Sequence, residues 1–390
     1  MKKTIITLCF WILALNHLIG QEYFLKPNYV ALSLSEKRQE HLIQSLDSLF
    51  KQMKDNKLDK QFISSNKASF TFSILSQIQS YEINKDSLRK TKKDKQIINF
   101  YPLEDKAYII DLSFIDSGEK GYVVYYLLSM VANDEGNKFT FETPIDYKTR
   151  HWKSEKIGNI TYHFRDTIQI NSAQIFNNKN TAIAHKFGLT PDPLDFYMIE
   201  NYQEYLNLIG INYQVYENGK YRTGKGVSFN TIFSIMNNED FSHDIFHYYS
   251  EKINERENRN WITEEGVAYL WGNAYYTDKN GEMIELDRMV YNLKNYLKEN
   301  PETSLLKLFE DNPKIFNSLA SEISVRSVLS AIIAKEVEYK LGLEGIMKLI
   351  NAGGGKELIG KYLTVTDKLI GINKENFDVK VSELLNAKSN

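Results

Sequence analysis

Two stretches decide how this chain is read: Ser242-His243-Asp244-Ile245-Phe246-His247-Tyr248-Tyr249, and shortly after it Trp261-Ile262-Thr263-Glu264-Glu265-Gly266-Val267-Ala268-Tyr269. His243 and His247 stand four residues apart. On a helix such residues share one face, one turn apart, so both imidazoles can reach a single ion. Seventeen residues separate His247 from Glu265. That is enough chain to finish one helix, turn, and begin another that packs back across it. Two imidazoles and a carboxylate, with a fourth position left to water, are the donor set of a catalytic zinc site.

The local signals place these residues on two helices. Asn238 and Asp240 are acceptable caps for a helix running to about Ile253. Asn254 to Asn260 is a polar connection. Thr263 is expected to cap the second helix, with Glu264 and Glu265 in its first turn. Gly266 is expected to allow close contact with the preceding helix and so bring Glu265 to the histidines.

The rest of the chain bounds the answer. Lys2 and Lys3, an apolar run from Ile5 to Leu15, and Gly20 before Gln21 read as a secretory signal over residues 1–20. The expected location is therefore secreted or periplasmic. No later stretch approaches the ~20 apolar residues of a spanning helix, so no stable membrane span is expected after cleavage. The single cysteine, Cys9, lies inside the signal, which leaves His, Asp and Glu as the only metal donors. Forty-eight basic and fifty acidic residues nearly cancel, which argues against a nucleic-acid surface. The densest basic run, Lys85 to Lys95, is interrupted by Asp86 and Asp94 and reads as a solvated loop.

The expected fold class is α+β in two domains. Residues 21–150 read as a helix against an antiparallel sheet, of cystatin-like kind. Ser33 and Glu36 form a capping box. Leu42, Ile43, Leu46, Leu49, Phe50 and Met53 recur at helical spacing. Ala107 to Ile115, Gly121 to Ala132 and Lys138 to Thr143 read as strands separated by turn clusters. Residues 151–390 form the second domain, with a sheet and the two histidine- and glutamate-bearing helices over 151–280 and a helical subdomain over 281–390. His163, on the alternating strand Ile157 to Phe164, reads as structural. Gly224 and Gly226 flank Lys225 before a strand-like run. This is an edge that an extended peptide can pair with, or a surface hairpin.

The order Trp-Ile-Thr-Glu-Glu-Gly-Val-Ala-Tyr around Glu265 resembles the "tryptophan, two residues, Glu-Gly, apolar, Ala" element of gluzincin zinc metallopeptidases. The resemblance extends from about Gly158 to Leu385 and is to the peptidase-MA-like branch. It implies a zincin-like second domain, a mixed sheet half followed by a helical bundle. It implies zinc on His243, His247 and Glu265, with Asp244 in the place of the general base, and a peptide or protein substrate. Glu264 competes for the ligand position, although the Gly-Val-Ala that follows favours Glu265. The helix reads His-Asp-x-x-His where the family has His-Glu-x-x-His. Asp is one methylene shorter, and a displacement of roughly an ångström can cost on the order of a hundredfold in rate. The family also tends to supply a Tyr or His after the Glu-Gly element, and Pro301 to Glu338 contains neither. Arg326 is the expected electrostatic substitute. Tyr248, Tyr269 and Tyr275 lie nearer in sequence but are not placed by it. Two functions follow as expectations. One is a zinc peptidase working through a metal-bound water with Asp244 as base. The other is a catalytically impaired relative that binds peptide or protein on the same scaffold.

Overall fold

In the computed structural model, residues 32–55, 57–64, 68–83, 92–118, 121–215, 219, 225–234 and 238–387 are described. The signal segment 1–20, Cys9 and Gly224 lie outside them. The chain is α+β, with one antiparallel sheet and one mixed sheet plus helices. It divides into two compact units, Met1–His151 with Asn201–Arg222, and Trp152–Glu200 with Thr223–Asn390.

The first unit opens with α1 (Glu36–Lys54) and α2 (Ala68–Ile83). Strands β1 (Lys92–Glu104), β2 (Ala107–Gly118), β3 (Gly121–Asp134) and β4 (Phe139–Glu142) follow in an antiparallel meander, then α3 (Ile145–Thr149). Leu42, Leu46, Leu49, Phe50 and Met53 are all buried, as their spacing predicts. The capping box is not formed. The helix starts after Ser35, whose side chain makes no capping bond. The Lys92–Lys95 end of the basic run is strand, not loop: Lys92 pairs with Ser117 and Lys95 with Phe114. Strand pairing across distant residues overrides local polarity there. Lys95 lies on an outer strand, where charge discourages further pairing.

The second unit opens with β5 (Lys153–Ile157), β6 (Ile160–Phe164), α4 (Ile170–Lys186) and β7 (Leu194–Met198). The chain then returns to the first unit with α5 (Tyr202–Leu208) and β8 (Ile211–Gln214). A contiguous division at 150 therefore misplaces these two elements. β8 pairs antiparallel with β3, Tyr126 opposite Gln214. Gly210 makes the turn from α5 into β8 at φ +94, where a Cβ would lie 2.2 Å from the Ser129 carbonyl oxygen. No local pattern marks such an excursion, because its partner strand lies about eighty residues earlier.

The second unit resumes with β9 (Lys225–Ser228) and β10 (Thr231–Ser234), and its sheet runs β5-β6-β7-β10-β9. β6, β7 and β10 are parallel neighbours, and the two outer strands are antiparallel. His163 on β6 bonds Asp195 at 2.9 Å and stacks on Tyr197, which accounts for it structurally. The helices are α6 (Ser242–Ile253), α7 (Trp261–Trp271), α8 (Leu286–Glu299), α9 (Leu305–Asp311), α10 (Val325–Ile350), α11 (Leu358–Ile370) and α12 (Phe377–Asn386). α10 breaks at Gly342, φ +62, which joins two helices across a kink. One apolar core runs through the unit from Ile157 to Leu385, and Phe241, Ile245, Phe246, Val267 and Ala268 tie α6 and α7 into it. Among the described residues, no helix is long and apolar enough to cross a membrane.

Candidate metal centre

Helix α6 begins at Ser242 with Phe241 at the N-cap position, one to three residues later than a cap at Asp240 or Asn238 would start it. Asp240 Oδ1 accepts the Ser242 N–H at 2.9 Å, just ahead of the helix. Helix α7 begins at Trp261 because Asn260 caps it, its side chain accepting from the N–H groups of Ile262 and Thr263. Thr263 is therefore not the cap. It lies inside the helix, and its hydroxyl donates to the Leu349 carbonyl at 2.9 Å. The close approach of the two helices also comes from a different glycine. A Cβ on Gly266 would lie 2.4 Å from Ser330 Oγ, so Gly266 seats α7 against α10. A Cβ on Gly272 would lie 2.7 Å from the Ser242 carbonyl oxygen, so Gly272 lets the end of α7 meet the start of α6.

The outcome is convergence of His243, His247 and Glu265. His247 Nε2 lies 3.3 Å from His243 Nε2 and 3.3 Å from Glu265 Oε1, and His243 Nε2 lies 3.6 Å from Glu265 Oε2. Ligands about 2.0–2.1 Å from a tetrahedral ion stand about 3.3–3.4 Å from one another, so the two ring nitrogens and the Glu265 carboxylate are spaced as such ligands are. His243 Nδ1 donates to the Asn273 carbonyl at 3.0 Å. A carbonyl only accepts, so Nδ1 carries the hydrogen and the Nε2 lone pair faces the cluster, the usual orientation of a metal-ligating histidine. Trp261 stacks on His247 at 5.3 Å and 11°. Among the described residues this is the one group of three such donors that can hold a metal ion.

Glu264 is excluded as a ligand. Its carboxylate is buried on the other side of α7, accepting from Ser250 Oγ at 2.6 Å and from Arg259. Arg326 is also elsewhere. Its guanidinium donates to the carbonyls of Phe309 and Glu310, closing the end of α9. Position 326 follows the cavity-lining Ser324 by two residues at the start of α10, so its side chain leaves in another direction. Tyr248 points away as well, donating to Asp192 and Asn230. Gly226 lies on β9, the outermost strand of the sheet beyond β10.

A cavity of about 270 Å³ opens over the three donors. Asp244, Tyr269, Tyr275 and Tyr276 line it, with Glu322 and Ser324 from the segment before α10. Two buried polar atoms here have no hydrogen-bond partner: Asp244 Oδ2 and His247 Nδ1. Tyr275 sits at φ +72, a left-handed conformation uncommon for an aromatic residue. Asn273 holds it there, its side chain accepting the Tyr275 N–H at 2.8 Å while its carbonyl holds His243. Asn273, Tyr276 and Glu322 were not picked out from sequence. Asn273 carries a signal, an Asx-type turn just after a Gly-terminated helix. The other two have none.

The electrostatics fit a place for positive charge. Burial, and then the neighbouring His247, lower His243 from 6.5 to about 4, so it is a neutral ligand near pH 7. Burial opposes charge on His247, but its hydrogen bond and ion pairing with Glu265 prevail and raise it. Burial likewise opposes charge on Glu265, yet the two histidines hold it below the usual carboxylate range. Asp244 is pushed up to about 7, first by burial and then by the charge of Glu265, against the pull of His247. A dication in the cluster would take the place of the His247 proton and draw Asp244 back down.

Compared with protein-family models, curated proteins and solved structures, the chain has no match.

Proposed function

We propose that this protein is an exported zinc-dependent peptidase of the gluzincin, peptidase-MA-like kind, with a cystatin-like first unit and a zincin-like second unit. The convergence of two imidazole Nε2 atoms and the Glu265 carboxylate, beside a buried and unpartnered Asp244 oxygen, carries this reading. An N₂O donor set without thiolate suits zinc, with the fourth position facing the cavity. When bound, zinc lowers the pKa of a water to near neutrality and polarises a carbonyl.

The chain's own residues supply the rest. His243, His247 and Glu265 hold the ion, and the Asn273 carbonyl fixes the His243 tautomer. Asp244, buried beside the ligands with one oxygen unpartnered, takes the proton of the attacking water and returns it to the leaving amine. Tyr275, raised by burial and then by the charge of Asp244, stays protonated and is the hydroxyl that faces the developing oxyanion. It takes the role expected of Arg326. The test is metal analysis of the mature protein with a broad peptide-cleavage screen. One zinc per chain, with cleavage abolished in Asp244→Ala, supports the proposal. A metal-free chain that is indifferent to chelators refutes it.

A second reading rests on the aspartate itself, one methylene short of the family's glutamate. In this reading the protein is an impaired relative that keeps the metal and binds a peptide in the cavity. Zinc without cleavage, and cleavage gained by Asp244→Glu, would select it.

A further inference from the structure

The cavity wall contains three carboxylates, Asp244, Glu265 and Glu322, and neither lysine nor arginine. The first two belong to the chemistry proposed above, but Glu322 does not. It comes from the segment between α9 and α10, off the ligand-bearing helices, and it is exposed. Lys314 Nζ donates to its main-chain carbonyl, not to its carboxylate. After burial, the charge of Glu322 is the largest influence holding the Tyr276 hydroxyl protonated, which places that charge against the tyrosine wall. Trp261 lines the cavity, 56% exposed and with one face stacked on His247. Asp244 Oδ2 is a buried acceptor still without a donor.

Carboxylates and aromatic faces together attract cations and repel anions. A volume of about 270 Å³ holds one side chain, not an extended segment. Resting on the peptidase reading for the orientation of the substrate, we infer that the cavity selects a substrate residue bearing an ammonium or guanidinium group. Glu322 is its charge partner, and Trp261 and Tyr276 supply the aromatic faces. The cation has two chemical sources, a lysine or arginine side chain or a free α-amine. Glu322 is a specificity residue here, not a catalytic one.

The experiment is calorimetric titration of the full-length, zinc-loaded protein with three probes. Acetyl-arginine amide carries only a side-chain cation, alanine amide only an α-ammonium, and acetyl-citrulline amide is the neutral isostere of the first. At least one cationic probe should bind about tenfold more tightly than the citrulline compound, and its advantage should shrink as salt rises. In Glu322→Gln that advantage should fall to within about twofold, a loss of about fivefold that is the upper end of what an exposed ion pair contributes. Preference for the arginine probe assigns the side chain, and preference for alanine amide assigns the amine. Equal binding of all three, or a preference unchanged in Glu322→Gln, overturns the inference. Binding does not require turnover. A protein that prefers the cation but cleaves nothing removes only the catalytic proposal, and one that cleaves without charge preference removes only this inference.

Discussion

Two polar clusters lie on the same pair of helices and have opposite fates. One lies toward the end of α6 and the start of α7. There Ser250 donates to Glu264 at 2.6 Å, and Arg259 reaches both Glu264 oxygens at 3.4 Å. Asn254 donates to the Ser250 carbonyl at 3.2 Å, and Asn351 donates to Asn254 at 2.7 Å. Only Arg259 Nε is left without a partner. The other cluster is His243, Asp244, His247 and Glu265. Its ring nitrogens face one another and an aspartate oxygen is left over. A closed network rigidifies and asks for nothing more. An open one has a net cost until something positive enters it. Glu264 and Glu265 differ by one position and a rotation of about 100° around α7, and that rotation separates a carboxylate closed into a network from one that faces the two histidines.

The comparison can be broken by substitution. The largest effect is expected from Glu264→Ala, which strands Arg259 and Ser250. It should cost about 3–5 kcal/mol of stability, as for other broken buried pairs, with zinc stoichiometry unchanged in the folded fraction. Chemical denaturation with metal analysis checks both halves. Next is Glu265→Ala, whose signature is the reverse. Zinc affinity in a competition titration should fall by more than about a hundredfold, beyond what loss of an outer partner costs. The stability of the metal-free protein should hardly move. If Glu264→Ala removed zinc and Glu265→Ala unfolded the chain, the distinction would be backward.

Smaller effects sharpen it. Gly272→Ala forces the start of α6 away from the end of α7 and should cost about 1–3 kcal/mol by overpacking. It should also weaken zinc, since Ser242 precedes His243 directly. Retained zinc affinity in that variant would mean the helix contact does not set the ligand distances. The smallest is a matter of sign. In the metal-free protein Asp244 stands at about 7 against 3.8 unfolded, so the folded state holds its proton more tightly. Stability from this group is present below 3.8 and is lost as pH rises toward 7. Asp244→Asn, which cannot ionise, should match the parent near pH 4 and exceed it above pH 7. Denaturation of both proteins after chelation, across that range, measures the difference. A difference that shrank as pH rose would show that Asp244 does not feel its burial.

Much of the site was legible because helical spacing is local. Two histidines four apart share a face wherever that helix packs, and the Glu-Gly step lies close enough to return to them. The mistakes also have local causes. Thr263 and Asn260 are both good caps, and only the chain's path to Leu349 decides between them. Gly266 and Gly272 are both small, and only the arrangement of α10 and α6 assigns each its neighbour. Arg326 was near in sequence but was taken up by the carbonyls at the end of α9. The return of α5 and β8 to the first unit depends on pairing with β3, which no window of sequence contains.

What the chain determined by itself is the donor set: which side chains can hold an ion, on which helix faces, with no thiol beyond residue 20. The tertiary structure decided the distances among them, the closing of Glu264 into a network, and the tyrosines and Glu322 that line the cavity over the donors. The physical reason is range. Periodicity and capping act over a few residues, whereas the cavity is bounded by groups that chain entropy keeps apart until the core assembles.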